Sequence, residues 1–250
     1  MTGNTRKAWV AAALLCVTVA GCGTGTDGGG ASATTVAEAP VVTPDLGLPA
    51  EPAPGPLYGD PAEASKFWAE QSFQDCGLMA VATVVGLVTG TAPSEQDMIQ
   101  VASSLPSPDG TGPLYVPPQD GDDSSDNGTS PEGQVRLLKH FGVPATITDD
   151  VIASTGGIPT GLEAVQQYLA ADRKVIVSVN AETIWGEDAN HTDPDHALVV
   201  GAIDTDQQIV YLSDSGTESG AGEQISIDTF EKAWGVGEDA HALIVTNPPA

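Results

Sequence analysis

Apolar residues along the chain fall into segments whose spacing predicts helices first and strands afterwards. The longest begins at Cys76 and runs to about Val88, between Asp75 and the pair Thr89-Gly90. It is apolar on all sides, as expected of a buried central helix. Asp75 is its predicted N-cap and Thr89-Gly90 its predicted stop. Because β-branched residues are frequent in it, a buried strand is the competing prediction.

N-cap residues predict four further helices. Capping side chains satisfy the free N–H groups of a first turn, so they mark where helices begin. The predicted starts are Ser94, Thr129-x-x-Glu132, Thr160-x-x-Glu163 and Asp228-x-x-Glu231. Between residues 104 and 127 the chain is rich in Pro, Gly and Asp, and a loop of this length indicates a lid or rim element.

Runs rich in β-branched residues predict strands in the C-terminal half. They are KVIVSVNA at 174–181, HALVVGAI at 196–203, QIVYLSD at 208–214 and HALIVT at 241–246. The second and third, separated by DTDQ, are expected to form a hairpin. Helices followed by a mostly antiparallel sheet indicate an α+β fold.

The N-terminal segment has the pattern of a signal peptide. Arg6 and Lys7 precede an apolar stretch too short to span a bilayer comfortably. It ends in VAGC at 19–22, which resembles the bacterial lipobox. The resemblance implies cleavage before Cys22 and a lipid on its thiol; an ordinary secretory signal is the alternative. We therefore expect a signal peptide at 1–21, a Gly/Ala/Thr/Pro-rich tether at 22–57 and one domain at 58–250.

Charge limits the possible partners. The chain has 34 acidic and 8 basic residues, and its net charge is −26. So acidic a surface argues against nucleic acid and against electrostatic binding to anionic lipid heads. It favours either cationic substrates or simply solubility. We expect a monomer that meets the membrane only through its lipid anchor.

No cofactor or metal is expected from the sequence. HTDPDH at 191–196 has potential ligands, but its spacing suits no standard chelate. DSSDNG at 123–128 matches the first half of a calcium-binding loop read from Asp123, yet Gln134 occupies the position of the final ligand. Calcium therefore remains a weak alternative.

The number and positions of the cysteines single out Cys76 as a candidate reactive residue. Cys16 leaves with the signal peptide and Cys22 carries the lipid, so Cys76 has no partner for an internal disulfide. In an oxidising compartment such a thiol is either deeply buried or useful because it reacts. In the first turn of a helix, the N–H groups and the helix dipole stabilise its thiolate.

His196 is the best candidate for a base beside Cys76. It begins a hairpin whose second strand ends at Asp214, and a turn centred on Thr205 would place the two residues opposite each other on one face. His241 begins a similar strand but no acid follows it; His140 and His191 need no catalytic role. Upstream amides can stabilise an oxyanion, and Gln71 is preferred to Gln74, which is too close to Cys76 in the chain.

These residues, in this order, resemble the papain-like cysteine peptidases, and within them the double-glycine peptidases that process bacteriocins. The matching segments are Gln71, DCG at 75–77, HALVVGAID at 196–204 and VYLSDSG at 210–216, and the resemblance spans roughly residues 65–248. It implies that Cys76 is the nucleophile, His196 the general base and acid, Asp214 the orienting residue and Gln71 the oxyanion donor.

The peptidase resemblance implies a hydrolase of an unidentified peptide or protein, and the lipobox resemblance adds that it is lipid-anchored and extracytoplasmic. Two positions depart from the family pattern: Leu78-Met79 follow the Cys-Gly pair, and Ser215 stands where the acid is usually followed by Pro. Neither removes a reacting group. A non-catalytic binding lipoprotein on the same fold and an NlpC-type cell-wall hydrolase are the alternatives.

Overall fold

A seven-stranded antiparallel sheet lies at the centre of a computed structural model that describes residues 55–118 and 128–248. The strands are β1 (Leu57–Gly59), β2 (Ala145–Thr148), β3 (Val175–Val179), β4 (His196–Asp204), β5 (Ile209–Ser213), β6 (Glu223–Ser226) and β7 (Leu243–Thr246). The helices are α1 (Glu63–Lys66), α2 (Cys76–Thr89), α3 (Glu95–Ser104), α4 (Pro131–His140), α5 (Asp150–Ser154), α6 (Leu162–Ala170), α7 (Ala181–Trp185) and α8 (Ile227–Trp234). The α+β class is confirmed.

Several expectations lie outside the described residues: the signal peptide, the lipid site at Cys22, nearly all of the tether, and residues 123–127 of the possible calcium loop. Within the described ranges, no helix is long and apolar enough to cross a membrane. The sheet begins at Leu57, the last residue assigned to the tether.

Strand order β2-β7-β3-β4-β5-β6 places β4 near the middle of the sheet. β3 pairs with the first half of β4, and β1 pairs with its second half. α6 and α8 cover one face of the sheet, where Val177 and Leu198 point. α2 and α4 cover the other face, where Ile176 and Val199 point.

Because helices lie on both faces, alternate positions of a central strand both enter a core. β4 is accordingly buried along its whole length. This explains why its sequence reads as a nearly continuous apolar run and lacks the alternating pattern of a half-exposed antiparallel strand. The same arrangement accounts for α2, in which residues 77–86 are all buried.

α2 begins and ends where predicted, but Asp75 does not cap it as expected. Gly90 ends the helix in the left-handed conformation, with φ of 84°. Asp75 occupies the N-cap position, yet its side chain accepts no hydrogen bond from the first turn. The carboxyl is buried instead, with only 1% of the residue exposed.

Ser94 caps α3 through a capping box with Asp97, as expected of a start at this serine. The other three predicted starts are wrong by one or two residues. Ser130 caps α4, Gly161 occupies the N-cap position of α6, and Ser226 caps α8. At α4 and α8 a nearby serine competes with the predicted cap for the same N–H groups, and sequence spacing does not rank the two; α6 has no side-chain cap.

The hairpin of β4 and β5 forms, but its register differs from the expected one. A turn centred on Thr205 would pair Val200 with Val210, whereas Val200 pairs with Leu212. The difference begins at the turn, where Asp204 pairs with Ile209, and a bulge at Gly201 then shifts the register by one residue. The bulge coincides with the close approach of α1, since a Cβ on Gly201 would lie 2.7 Å from the Cβ of Ala64.

Other short elements were not predicted. β1, β2 and β6 have three or four residues each, too few for a recognisable pattern. His241 does not begin a strand: it lies in a turn with a positive φ of 56°, and β7 starts at Leu243. In the described part of the long loop, Pro106 pairs with Pro113, and Arg136 donates a hydrogen bond of 2.6 Å to the Pro106 carbonyl.

Candidate active site

Cys76 is the first residue of α2 and lies in the wall of a cleft of about 550 Å³. It is half-buried, and it is the free cysteine of the described residues. His196, the first residue of β4, lines the same cleft. The structure therefore brings together two residues that are 120 positions apart in the chain.

Asp214 follows the end of β5 and contacts His196. The Nε2 atom of His196 lies 2.6 Å from Oδ1 of Asp214, and both residues are buried, with 6% and 0% exposed. The last pair of the hairpin is Val199 with Ser213; extended by one residue, this register places Asp214 opposite Leu198, so His196 and Asp214 are diagonal on one face. Long side chains reach diagonal neighbours, which is why the contact forms although the predicted register is wrong.

His196 is held in a strongly polar environment. Burial lowers the pKa of its imidazole, but the hydrogen bond to Asp214, and then a hydrogen bond and charge interaction with Cys76, outweigh burial and raise that pKa well above its ordinary value. Since Nε2 is occupied by Asp214, Nδ1 is the nitrogen left for Cys76. This arrangement orients the imidazole between the thiol and the carboxylate.

Two tryptophans surround Asp214, and sequence reasoning missed both. Nε1 of Trp185 donates to Oδ2 of Asp214 at 2.9 Å, and its ring lies 5.3 Å from the His196 ring. Nε1 of Trp68 donates to the Asp214 carbonyl at 2.6 Å. The backbone N–H of Gly216 donates to Oδ1 at 2.7 Å. Burial raises the pKa of the Asp214 carboxyl, but His196 first, then Trp185 and the Gly216 N–H, lower it overall.

Glu223 adds a second carboxyl beside Asp214. Its burial, followed by the negative charge of Asp214 and a hydrogen bond to it, raises the pKa of Glu223 to about 7. Room around Asp214 is otherwise scarce, because a Cβ on Gly220 would lie 1.7 Å from the Asp214 carbonyl oxygen. No sequence signal identifies Glu223, which faces Asp214 only through the pairing of β5 and β6.

Gln71 lies on the segment that leads to Cys76, although it is not part of the cleft wall. Its backbone N–H donates to the Ser215 carbonyl at 2.9 Å, and its Oε1 accepts from the Ser215 hydroxyl at 2.8 Å. One hydrogen of its side-chain amide goes to the Phe73 carbonyl at 2.8 Å. Gln74 is exposed. Ser215, which stands where the family usually has Pro, therefore holds Gln71 in place through two hydrogen bonds.

The other histidines are engaged elsewhere. Nδ1 of His241 lies 2.9 Å from a carboxylate oxygen of Asp150. The ring of His140 packs edge-on against Phe141, and Nδ1 of His191 lies 2.8 Å from the Thr183 hydroxyl. None of these histidines is in the cleft wall. Among the described residues there is also no group of three or more side chains placed to hold a metal ion.

Together, the fold and the cleft define a cysteine-peptidase-like hydrolase. The model of the family described as Peptidase_C39 like matches residues 68–239. The chain belongs to this family, and the papain-like fold expected from the sequence is thereby confirmed. The NlpC-type hydrolase considered as an alternative is a different family.

The chain is also similar to a relative in sequence and to two solved structures of low sequence identity. A protein of Mycobacterium tuberculosis, itself described as uncharacterised, is 45% identical over 219 residues, which cover 85% of this chain and 94% of the relative. A C39-like peptidase of Bacillus anthracis is 15% identical, covers 73% of this chain and 94% of its own, and has a TM-score of 0.47. Xylellain, a cysteine protease of Xylella fastidiosa, is 11% identical, covers 80% of this chain and 91% of its own, and has a TM-score of 0.41.

The buried Asp75 carboxyl adjoins Cys76 and has no hydrogen-bond donor among the described residues. Burial, followed by the negative charge of Glu95 and a hydrogen bond to it, raises the pKa of Asp75 to about 7. The Tyr115 hydroxyl is also buried without a partner, and burial followed by the charge of Asp75 raises its pKa to about 12. Asp75 is therefore expected to keep its proton up to near-neutral pH.

Asp75→Asn should change how stability depends on pH. In the folded chain Asp75 titrates near 7, against an ordinary value of 3.8, so its contribution is full below pH 3.8 and is lost as pH rises toward 7. In urea unfolding, the free energy of unfolding of the variant relative to that of the wild type should therefore rise over this pH range, by up to about 4 kcal/mol. Asp206→Asn, in an exposed turn, is the control. A difference between variant and wild type that does not vary with pH would contradict a protonated Asp75.

Proposed function

We propose that this protein is a lipid-anchored, extracytoplasmic cysteine peptidase that hydrolyses amide bonds through Cys76, His196 and Asp214. The observation that carries the proposal is the buried contact of 2.6 Å between His196 and Asp214, in the cleft that Cys76 also lines. A nucleophile, a base and a group that orients the base make up the minimal set for acyl transfer by a thiol.

In the first half-reaction the Cys76 thiolate attacks the carbonyl carbon of the scissile amide, and a C–S bond forms. His196, protonated and paired with Asp214, gives its proton to the leaving nitrogen as the C–N bond breaks. The amine departs and a thioester remains on Cys76. In the second half-reaction His196 takes a proton from water, the resulting hydroxide displaces sulfur, and the carboxylic acid and thiolate are released.

Two donors are available for the oxyanion that forms in each half-reaction. The backbone N–H of Cys76 is free at the start of α2. Gln71 has a second amide hydrogen beside the one that Phe73 accepts. Because Ser215 holds the carbonyl end of this amide, the donor end is restrained before the substrate arrives, as oxyanion stabilisation requires.

The raised pKa of His196 supports a catalytic role over a purely binding one. Desolvation alone would leave a buried imidazole neutral, whereas here Asp214 and Cys76 favour its charged form. A charged imidazole beside a thiol stabilises the thiolate, which is the reactive species. Perturbed titration in a cleft is a signature of functional sites.

Replacement of His196 should separate the proposal from a non-catalytic role. In the lipidated protein Cys76 is the free thiol, and iodoacetamide at near-neutral pH should label it at least about 100-fold more slowly in His196→Ala. Cys76→Ala should lose labelling, and both variants should lose peptide hydrolysis. His140→Ala is the matched control, and circular dichroism checks the fold. A folded His196→Ala variant with an unchanged labelling rate would show that His196 does not activate Cys76.

Gln71→Ala should affect acyl transfer without affecting simple alkylation. Alkylation by iodoacetamide forms no oxyanion, so its rate should stay close to that of the wild type. Hydrolysis of a fluorogenic peptide should fall about 100-fold or more in kcat. Gln74→Ala, three residues further along, is the matched control. A parallel loss of both rates would mean that Gln71 positions Cys76 and does not stabilise an oxyanion.

We propose the lipid anchor on the basis of VAGC at 19–22. Acylation of Cys22 would hold the domain at the outer face of the membrane, since two or more acyl chains give stable anchoring. In cells, Cys22→Ala should move the protein from the detergent phase to the aqueous phase of a Triton X-114 separation. Cys16→Ala, within the signal segment, should leave it in the detergent phase. A Cys22→Ala protein that still partitions with detergent would contradict the anchor.

A further inference from the structure

The cleft that contains Cys76 and His196 has a strongly acidic wall. Its lining includes the carboxyl groups of Glu132, Asp149, Asp195 and Asp239. Among the described residues that line it there is no lysine or arginine. An anionic or strongly acidic substrate would therefore be repelled from the proposed nucleophile.

Two almost fully buried side chains in this wall have acceptor atoms without a donor. Gln134 is 3% exposed; its Nε2 donates to the Thr129 carbonyl at 3.0 Å, but its Oε1 has no partner among the described residues. Asp149 is 8% exposed; Oδ1 accepts from the Ile152 N–H at 2.7 Å, and Oδ2 has no described donor but is not among the atoms shielded from solvent. A buried acceptor without a donor is costly, so an N–H group that reaches Oε1 of Gln134 would stabilise it, and the Asp149 carboxylate can accept a further N–H at Oδ2.

Gln134 also lies next to the proposed nucleophile. A Cβ on Gly77, the residue after Cys76, would lie 2.8 Å from Nε2 of Gln134. The part of the cleft wall that offers hydrogen-bond acceptors therefore begins at Gln134, beside Cys76, and includes Asp149. A group bound there would belong to a residue close to the bond under attack.

We propose that the substrate is a peptide with a lysine or arginine side chain near the scissile bond, whose N–H groups bind the wall formed by Glu132, Gln134 and Asp149. This inference rests on the proposed function, since it assigns a substrate class to the same cleft. Ammonium and guanidinium groups offer three and five donors and no acceptor, which complements a wall made of acceptors. The net charge of −26 would add long-range attraction of such substrates.

Charged thiol reagents test the field at Cys76 without requiring turnover. Methanethiosulfonates transfer a thioalkyl group to the thiolate and release methanesulfinate, so a disulfide forms and no other reactant is needed. The trimethylammonium-ethyl reagent is cationic and the sulfonato-ethyl reagent is anionic. In the full chain, the cationic reagent should modify Cys76 at least about tenfold faster than the anionic one.

Matched variants assign this preference to the wall. In the double variant Glu132→Gln and Asp149→Asn, the cationic-to-anionic rate ratio should fall at least about threefold, because carboxylates within one Debye length dominate the local potential. Asn remains an N-cap residue, so α5 should persist. The control pair, Asp206→Asn and Glu231→Gln, removes the same number of charges from exposed positions outside the cleft and should leave the ratio unchanged.

The possible results separate the two proposals. A fast reaction with equal rates for both reagents, or with a ratio that the double variant leaves unchanged, would overturn the cationic substrate and leave the peptidase standing. A Cys76 that reacts slowly with both reagents, and no faster than in His196→Ala, would overturn the peptidase and this inference with it. Peptides that contain arginine should be cleaved faster than the same peptides with neutral citrulline. Equal cleavage of the two sets would overturn the inference.

Discussion

The buried charge of Asp214 is the constraint on which the arrangement of the site depends. A carboxylate with no exposure is tolerated only if donors surround it, and here His196, Trp185 and the Gly216 N–H all donate to it. These donors come from β4, from α7 and from the turn after β5. Satisfying one charge therefore brings together three parts of the chain and orients the imidazole.

The same region also positions the segment that contains the thiol. Trp68 donates to the Asp214 carbonyl, and the Gln71 backbone donates to the Ser215 carbonyl. The stretch that leads into α2 is thus hydrogen-bonded directly to the segment that contains the acid. Packing of α2 against β4 supplies a second, apolar connection. Two independent sets of contacts therefore fix the position of Cys76 relative to His196 and Asp214: the hydrogen bonds to residues 214 and 215, and the packing of α2 on β4.

The sequence was sufficient to predict Cys76, His196 and Asp214 as a group because each lies at the end of a helix or strand with a strong apolar pattern. It predicted the wrong hairpin register, since Asp204 pairs with Ile209 and the turn is therefore not centred on Thr205; the bulge at Gly201, where α1 approaches, shifts the register by one residue, which no local pattern reveals. Trp185 and Glu223 could not be predicted for a related reason. Their contacts with Asp214 are created by the packing of α7 and the pairing of β6, both remote in sequence.

The acidic wall of the cleft also affects the electrostatics at the sulfur of Cys76. Carboxylates in the cleft wall repel negative charge at the reacting sulfur, and the positive charge of the His196 imidazolium opposes them. Asp214 maintains that charge from behind the ring, on the far side from Cys76. A cationic side chain bound to Glu132 and Asp149 would neutralise part of the opposing field at the moment of attack. Binding energy from a remote part of the substrate would then lower the barrier at the reacting atom, so the preferred substrate would also react faster.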